Sequence, residues 1–102
     1  TKDEWIKAKN EGRFLGSVKD LKDGFIHFSD KQQIKDTLNK YYSKQKDLIL
    51  LEVEALKLTN LIYEQSSDGN MFPHLYSELN ISHVYKDYEI SISKEGDYIL
   101  PF

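Results

Sequence analysis

Three side chains carry most of the reactive chemistry in this sequence. They are His27 in GFIHFSDKQQ (24–33), His74 in MFPHLYSEL (71–79) and Glu64 at the end of NLIYE (60–64). An imidazole can donate to a phosphate or ribose oxygen, stack on a flat ring, or move a proton near neutral pH. His27 lies in a short apolar strand that runs straight into a helix start. Unpaired N–H groups and the positive end of the helix dipole favour an anion there. His74 follows Pro73, whose ring holds the backbone extended and so fixes the direction of the imidazole. Glu64 closes a strand just before a turn and is a candidate acid or base. Arg13, the only arginine among 14 basic residues, offers a planar, forked contact to phosphate or carboxylate. Ser29 stands at the helix start and Tyr76 in the apolar setting of His74, both as candidate ligand contacts. His83, in ISHVY, reads as an exposed strand residue. Three histidines without a short ligand spacing form no metal motif.

Each of these residues has a structural reading beside the chemical one. His27 can be a half-buried histidine bonded to a neighbouring carbonyl, and Ser29 a helix cap and nothing more. Glu64 can be solvated at its strand end. A bias toward Lys explains a lone arginine, and the aromatic residues can be core or a dimer face.

The elements that must position these groups follow from periodicity and caps. Thr1 and Glu4 have capping-box spacing, Trp5 and Ala8 share a helical face, and Gly12 can supply a left-handed C-cap. The opening TKDEW, with no Met and a helix already under way, raises the expectation of a missing upstream strand. GRFLGSVKDLKDG (12–24) shows no sustained period and is expected to be a loop. FIHF (25–28) reads as a strand in which Phe25, His27 and Ser29 point one way, Ile26 and Phe28 the other. Ser29 or Asp30 caps the next helix, with Ile34, Leu38, Tyr41 and Tyr42 on its apolar face. LILLEVEAL (48–56), NLIYE (60–64) and SHVYKDYEISI (82–92) read as strands, and SSDGN (66–70) as a turn around Asp-Gly. Pro73 demotes 71–79 to an edge strand or loop. Two helices and four or five strands make an α+β domain.

The totals agree. One hundred and two residues fit a single domain over 1–102, and 39% hydrophobic with 30% charged residues is ordinary for a globular chain. A net charge of −3 without a basic block argues against nucleic acid as a partner. The absence of cysteine excludes disulfides and thiol chemistry and accords with a reducing, cytoplasmic setting. LILL (48–51) is too short to span a membrane.

GRFLGS, then DGFIHFSDKQQIKDTL, then FPHLYSEL resemble domain of unknown function 952, an uncharacterised bacterial family, over nearly the whole chain. The resemblance implies an ADP-ribosyltransferase-like fold of two small sheets with two helices, here without its first strand, binding NAD in a cleft between the sheets. It implies that IHFSD (26–30) matches the element in which a tyrosine stacks on nicotinamide, with His27 in that place. It puts His74 where the superfamily usually has a glutamate. An imidazole supplies no carboxylate charge to a developing oxocarbenium ion, so a nucleotide or phosphorylated ligand of NAD or ADP-ribose type is the implied partner. Arg13 would then be a phosphate clamp. An enzyme acting on such a nucleotide, a binding module without turnover, and a structural or protein-interaction domain all stand as readings. They differ in whether His27 and His74 meet at one ligand.

Overall fold

The computed structural model describes residues 1–102. The first helix, α1 (Lys2–Glu11), begins and ends as its residues require. Thr1 accepts from the Glu4 N–H at 3.2 Å, and Gly12 closes the helix at φ 79°. Trp5 and Ala8 are its buried residues, and the Trp5 indole N–H donates to Asp87 at 2.8 Å. A short strand, β1 (Arg13–Phe14), follows.

The stretch expected to be a loop contains a second helix, α2 (Val18–Asp23). Ser17 and Asp20 form its capping box, with the Asp20 carboxylate on the Ser17 N–H at 2.8 Å, and Gly24 ends it at φ 88°. Periodicity could not reveal it. Six residues make under two turns, and its apolar residues Val18 and Leu21 stay 84% and 65% exposed.

After β2 (Ile26–His27) comes a single 3₁₀ turn at Lys31–Gln33 and then α3 (Ile34–Tyr41). Gln33 Oε1 accepts from the Asp30 N–H at 2.9 Å, so Asp30 rather than Ser29 anchors this start. The remaining strands are β3 (Leu48–Val53), β4 (Leu61–Gln65), β5 (Met71–Leu75), β6 (Leu79–Asn80), β7 (Val84–Ile92) and β8 (Tyr98–Ile99). They form antiparallel sheets in the orders β2-β5-β4, β3-β7-β8 and β1-β6. The architecture is mixed α+β with three helices and small antiparallel sheets, one helix more than expected.

The Pro73 strand is not an edge. β5 is the central strand of its sheet, with Pro73 opposite Tyr63 on β4. Backbone groups alternate along an antiparallel strand, so those of residues 73 and 75 face β2 and those of 72, 74 and 76 face β4. Pro73 therefore withholds its missing N–H only from β2. Its carbonyl still accepts from the Phe28 N–H at 3.0 Å, but the return bond cannot form. The β2 ladder ends there, and the chain turns away into the 3₁₀ turn.

The core gathers on one face of this sheet. Ile26, Leu75 and Leu79 are buried there, with Phe28 and Leu61 packed against them. The opposite face carries His27 and His74. No helix is long and apolar enough to cross a membrane.

Candidate functional site

Register brings the two histidines together. Ile26 pairs with Leu75 and His27 with His74 across β2 and β5, so both imidazoles project from the face away from the core. Their ring centroids lie 5.5 Å apart in an edge-to-face arrangement. Phe25, on the same face, stacks on His74 at 4.1 Å and lies 4.6 Å from His27; the Tyr76 ring is 5.2 Å from Phe25.

Each histidine has a carboxylate behind it. Asp20 reaches from α2 to the open edge of β2, where its Oδ1 lies 2.5 Å from His27 Nδ1 and accepts the His27 backbone N–H at 3.2 Å. That N–H points away from β5 and would otherwise be an unpaired edge donor. His27 Nε2 lies 3.0 Å from Asp23 Oδ2, one helical turn further along α2. On the other side, Glu64 Oε1 lies 2.9 Å from His74 Nδ1 and accepts the Tyr76 hydroxyl at 2.5 Å.

The Tyr76 hydroxyl, and after it the His74 ring, hold the Glu64 carboxyl below its ordinary range; Glu64 in turn pushes the Tyr76 phenol up. At neutral pH Glu64 is therefore ionised and can only accept, which makes His74 Nδ1 the donor. His74 is itself buried, 9% exposed, and its Nε2 has no hydrogen-bond partner in the protein. A ring so held presents its Nε2 at one defined position. The Asp23 carboxyl is lowered chiefly by the Lys19 ammonium, 2.9 Å away, with His27 adding to the effect.

The other sequence-singled residues lie elsewhere. Arg13 is on β1 with its guanidinium on Glu78 at 2.9 Å, an exposed pair on the two-stranded sheet. Ser29 has left the histidine face; its hydroxyl meets that of Thr37 at 2.9 Å on α3. The start of α3 is already furnished with acceptors, the Asp30 carboxylate and the Gln33 amide oxygen, so it is no open anion site.

The cleft between the sheets is a separate place. A cavity of about 500 Å³ lies on the core side, lined by residues that include Phe28, Ser29, Tyr63 and Pro73, and neither histidine borders it. No group of three or more His, Asp or Glu is arranged to hold a metal ion. Asp20 and Asp23 went unnoticed in the sequence. The capping-box spacing from Ser17 to Asp20, closed by Gly24, was the signal that could have found α2 and with it both carboxylates.

Residues 1–87 match the family described as "Protein of unknown function (DUF952)". The crystal structure of protein CC0527 from Caulobacter crescentus is similar at 42% identity and a TM-score of 0.92, covering 98% of this chain and 89% of that one. A double mutant of the same protein gives 40% identity and a TM-score of 0.92 at the same coverage. Its solution NMR structure gives 42% and 0.85, covering 95% of this chain and 84% of that one. No curated protein matches the chain.

Proposed function

The chain belongs to the DUF952 family, and we propose that it is a nucleotide-binding domain of ADP-ribosyltransferase-like type, taking an NAD or ADP-ribose type ligand on the histidine face. The observation that carries this reading is the pairing of His27 with His74 at 5.5 Å beside Phe25 and Tyr76, with His74 Nε2 left without a partner in the protein. A flat base can stack against such rings. Ribose hydroxyls are donors, and the carboxylates of Asp23 and Glu64 with His74 Nε2 are acceptors. The same groups disfavour phosphate: Asp20, Asp23 and Glu64 surround the pair, Lys19 is held by Asp23, and Arg13 is held by Glu78. The ligand is therefore read through its nucleoside, with its phosphates turned toward solvent.

Glu64 also answers the objection raised by an imidazole at the usual glutamate position. Its carboxylate, tied to His74, supplies negative charge beside the pair. If the ligand turns over, the bond between ribose and nicotinamide breaks with its electrons leaving on nicotinamide. Glu64 offsets the ribose cation and His74 Nε2 accepts the proton of the attacking water.

Following the histidine ring signals by NMR during titration with NAD, ADP-ribose and inorganic phosphate tests the proposal. Saturable, joint shifts of His27 and His74 with NAD or ADP-ribose, and none with phosphate, are expected. Nicotinamide measured in the same samples separates an enzyme from a passive binder. A second reading rests on one observation: both rings are tied to the protein's own carboxylates. That is also how a structural network closes a sheet edge. Rings indifferent to every ligand would overturn the nucleotide reading in favour of this one.

A further inference from the structure

The cavity between the sheets has a chemistry of its own. Its volume of about 500 Å³ suits a small molecule, and 11 of its 16 lining residues are hydrophobic. Four aromatic rings border it, those of Phe28, Tyr63, Tyr88 and Phe102. Two carboxylates, Asp30 and Glu52, are in the same lining.

Apart from Lys31, the polar groups there are matched so that acceptors remain. The Tyr63 hydroxyl donates to Asp30 at 3.0 Å, and the Tyr88 hydroxyl to Glu52 at 3.0 Å. Both phenols are pushed up by the carboxylates they serve, so they stay protonated. Each phenol has spent its one proton and keeps lone pairs, and each carboxylate keeps a second oxygen. Lys31, the single cation in the lining, holds its ammonium 5.0 Å from the centre of the Phe102 ring and keeps its own N–H donors, so the two carboxylates exceed it by one charge. A ligand that satisfies this cavity must bring an apolar body, hydrogen-bond donors and positive charge.

We propose that the inter-sheet cavity is a second ligand site, independent of the histidine face, for a small organic cation: an ammonium group on an apolar or aromatic body. The ammonium is held by Asp30, Glu52 and the aromatic faces, and the body lies against Phe28 and the aliphatic floor. Anions are disfavoured because the two carboxylates outnumber Lys31, which sets this site apart from a phosphate pocket. Sheet β2-β5-β4 separates it from His27 and His74, so either site can fail without the other.

The test uses phenethylamine as probe, phenethyl alcohol as its neutral counterpart and benzoate as its anionic one. NMR signals of the Tyr63, Tyr88, His27 and His74 rings are followed together. Phenethylamine is expected to shift the tyrosines saturably and leave the histidines unmoved. The alcohol should bind roughly tenfold more weakly and benzoate not at all. Glu52→Gln should weaken the amine about tenfold, and Asp30→Asn similarly, each with an otherwise unchanged methyl spectrum showing that the fold is intact. Equal binding of amine and alcohol, binding of benzoate, an amine indifferent to both substitutions, or no binding overturns the proposal.

Discussion

Glu64 Oε1 serves two donors at once, the Tyr76 hydroxyl and the His74 ring, and both hold its carboxyl below the ordinary range. The hydroxyl is the larger influence on the carboxyl. Removing it in Tyr76→Phe should move the Glu64 carboxyl back up toward its ordinary value, read by NMR titration of the side-chain carboxyl carbon. The sign of the linked stability follows. A carboxyl lowered in the folded state stabilises above the unfolded value of about 4.3, and that contribution is lost as pH falls through the lowered native value. The advantage of the parent over Tyr76→Phe should thus be full at neutral pH and vanish in acid below the ordinary glutamate range. An unchanged Glu64 titration in the variant would mean that the short hydroxyl contact does not persist in solution.

A six-residue helix determines how His27 is presented. α2 delivers Asp20 and Asp23 to the open edge of β2, and its placement depends on the turn before it. Gly16 has φ 115°, and a Cβ built there would lie 2.7 Å from the Asp20 Cβ. Gly16→Ala must therefore both strain the backbone and displace Asp20. A loss of about 1–3 kcal/mol in urea unfolding is expected, with a changed His27 Nδ1 shift, while His74 and Glu64 keep theirs. An unaltered His27 signal would show that Asp20 does not orient that ring. The alternation of FIHF and the capping spacing at Asp30–Gln33 were legible because each is local. α2 buries almost no apolar surface and leaves no periodic trace, so its only local mark is the capping spacing from Ser17 to Asp20 with Gly24 after it. Pro73 misled for a related reason: its missing N–H argues against a central strand only if both neighbours need that donor, and β2 simply stops where the donor is absent.

At the scale of the molecule, very little is fully covered. Only 10 of 102 residues are buried, and the central cluster is Ile26, Leu75 and Leu79. With so small a core, truncation of one member should consume a large part of a total stability of about 5–15 kcal/mol. Leu75→Ala is expected to cost about 2–5 kcal/mol in urea unfolding, because Leu75 is 1% exposed and packs on the central strand between Ile26 and Leu61. A cost below about 1 kcal/mol would show that the sheet is held by its ladders and flanking aromatics instead. The same sheet divides the chemistry, with paired histidines and carboxylates outside and an apolar cavity with acceptor groups inside.

What the sequence determined by itself is short in range: the caps of α1, the side of the strand to which His27 points, the turn at Asp68–Gly69, the mixed α+β class and the family likeness. These depend on neighbours a few residues apart, whose spacing is visible in one dimension. Only the tertiary structure decided that His27 stands opposite His74, that Glu64 backs His74 and Asp20 backs His27, and that Arg13 and Ser29 lie apart from them. Those outcomes depend on strand register, where a shift of one residue sends every side chain to the other face. Register is set by the shared burial of Ile26 and Leu75, a contact between residues 49 positions apart that no local pattern records.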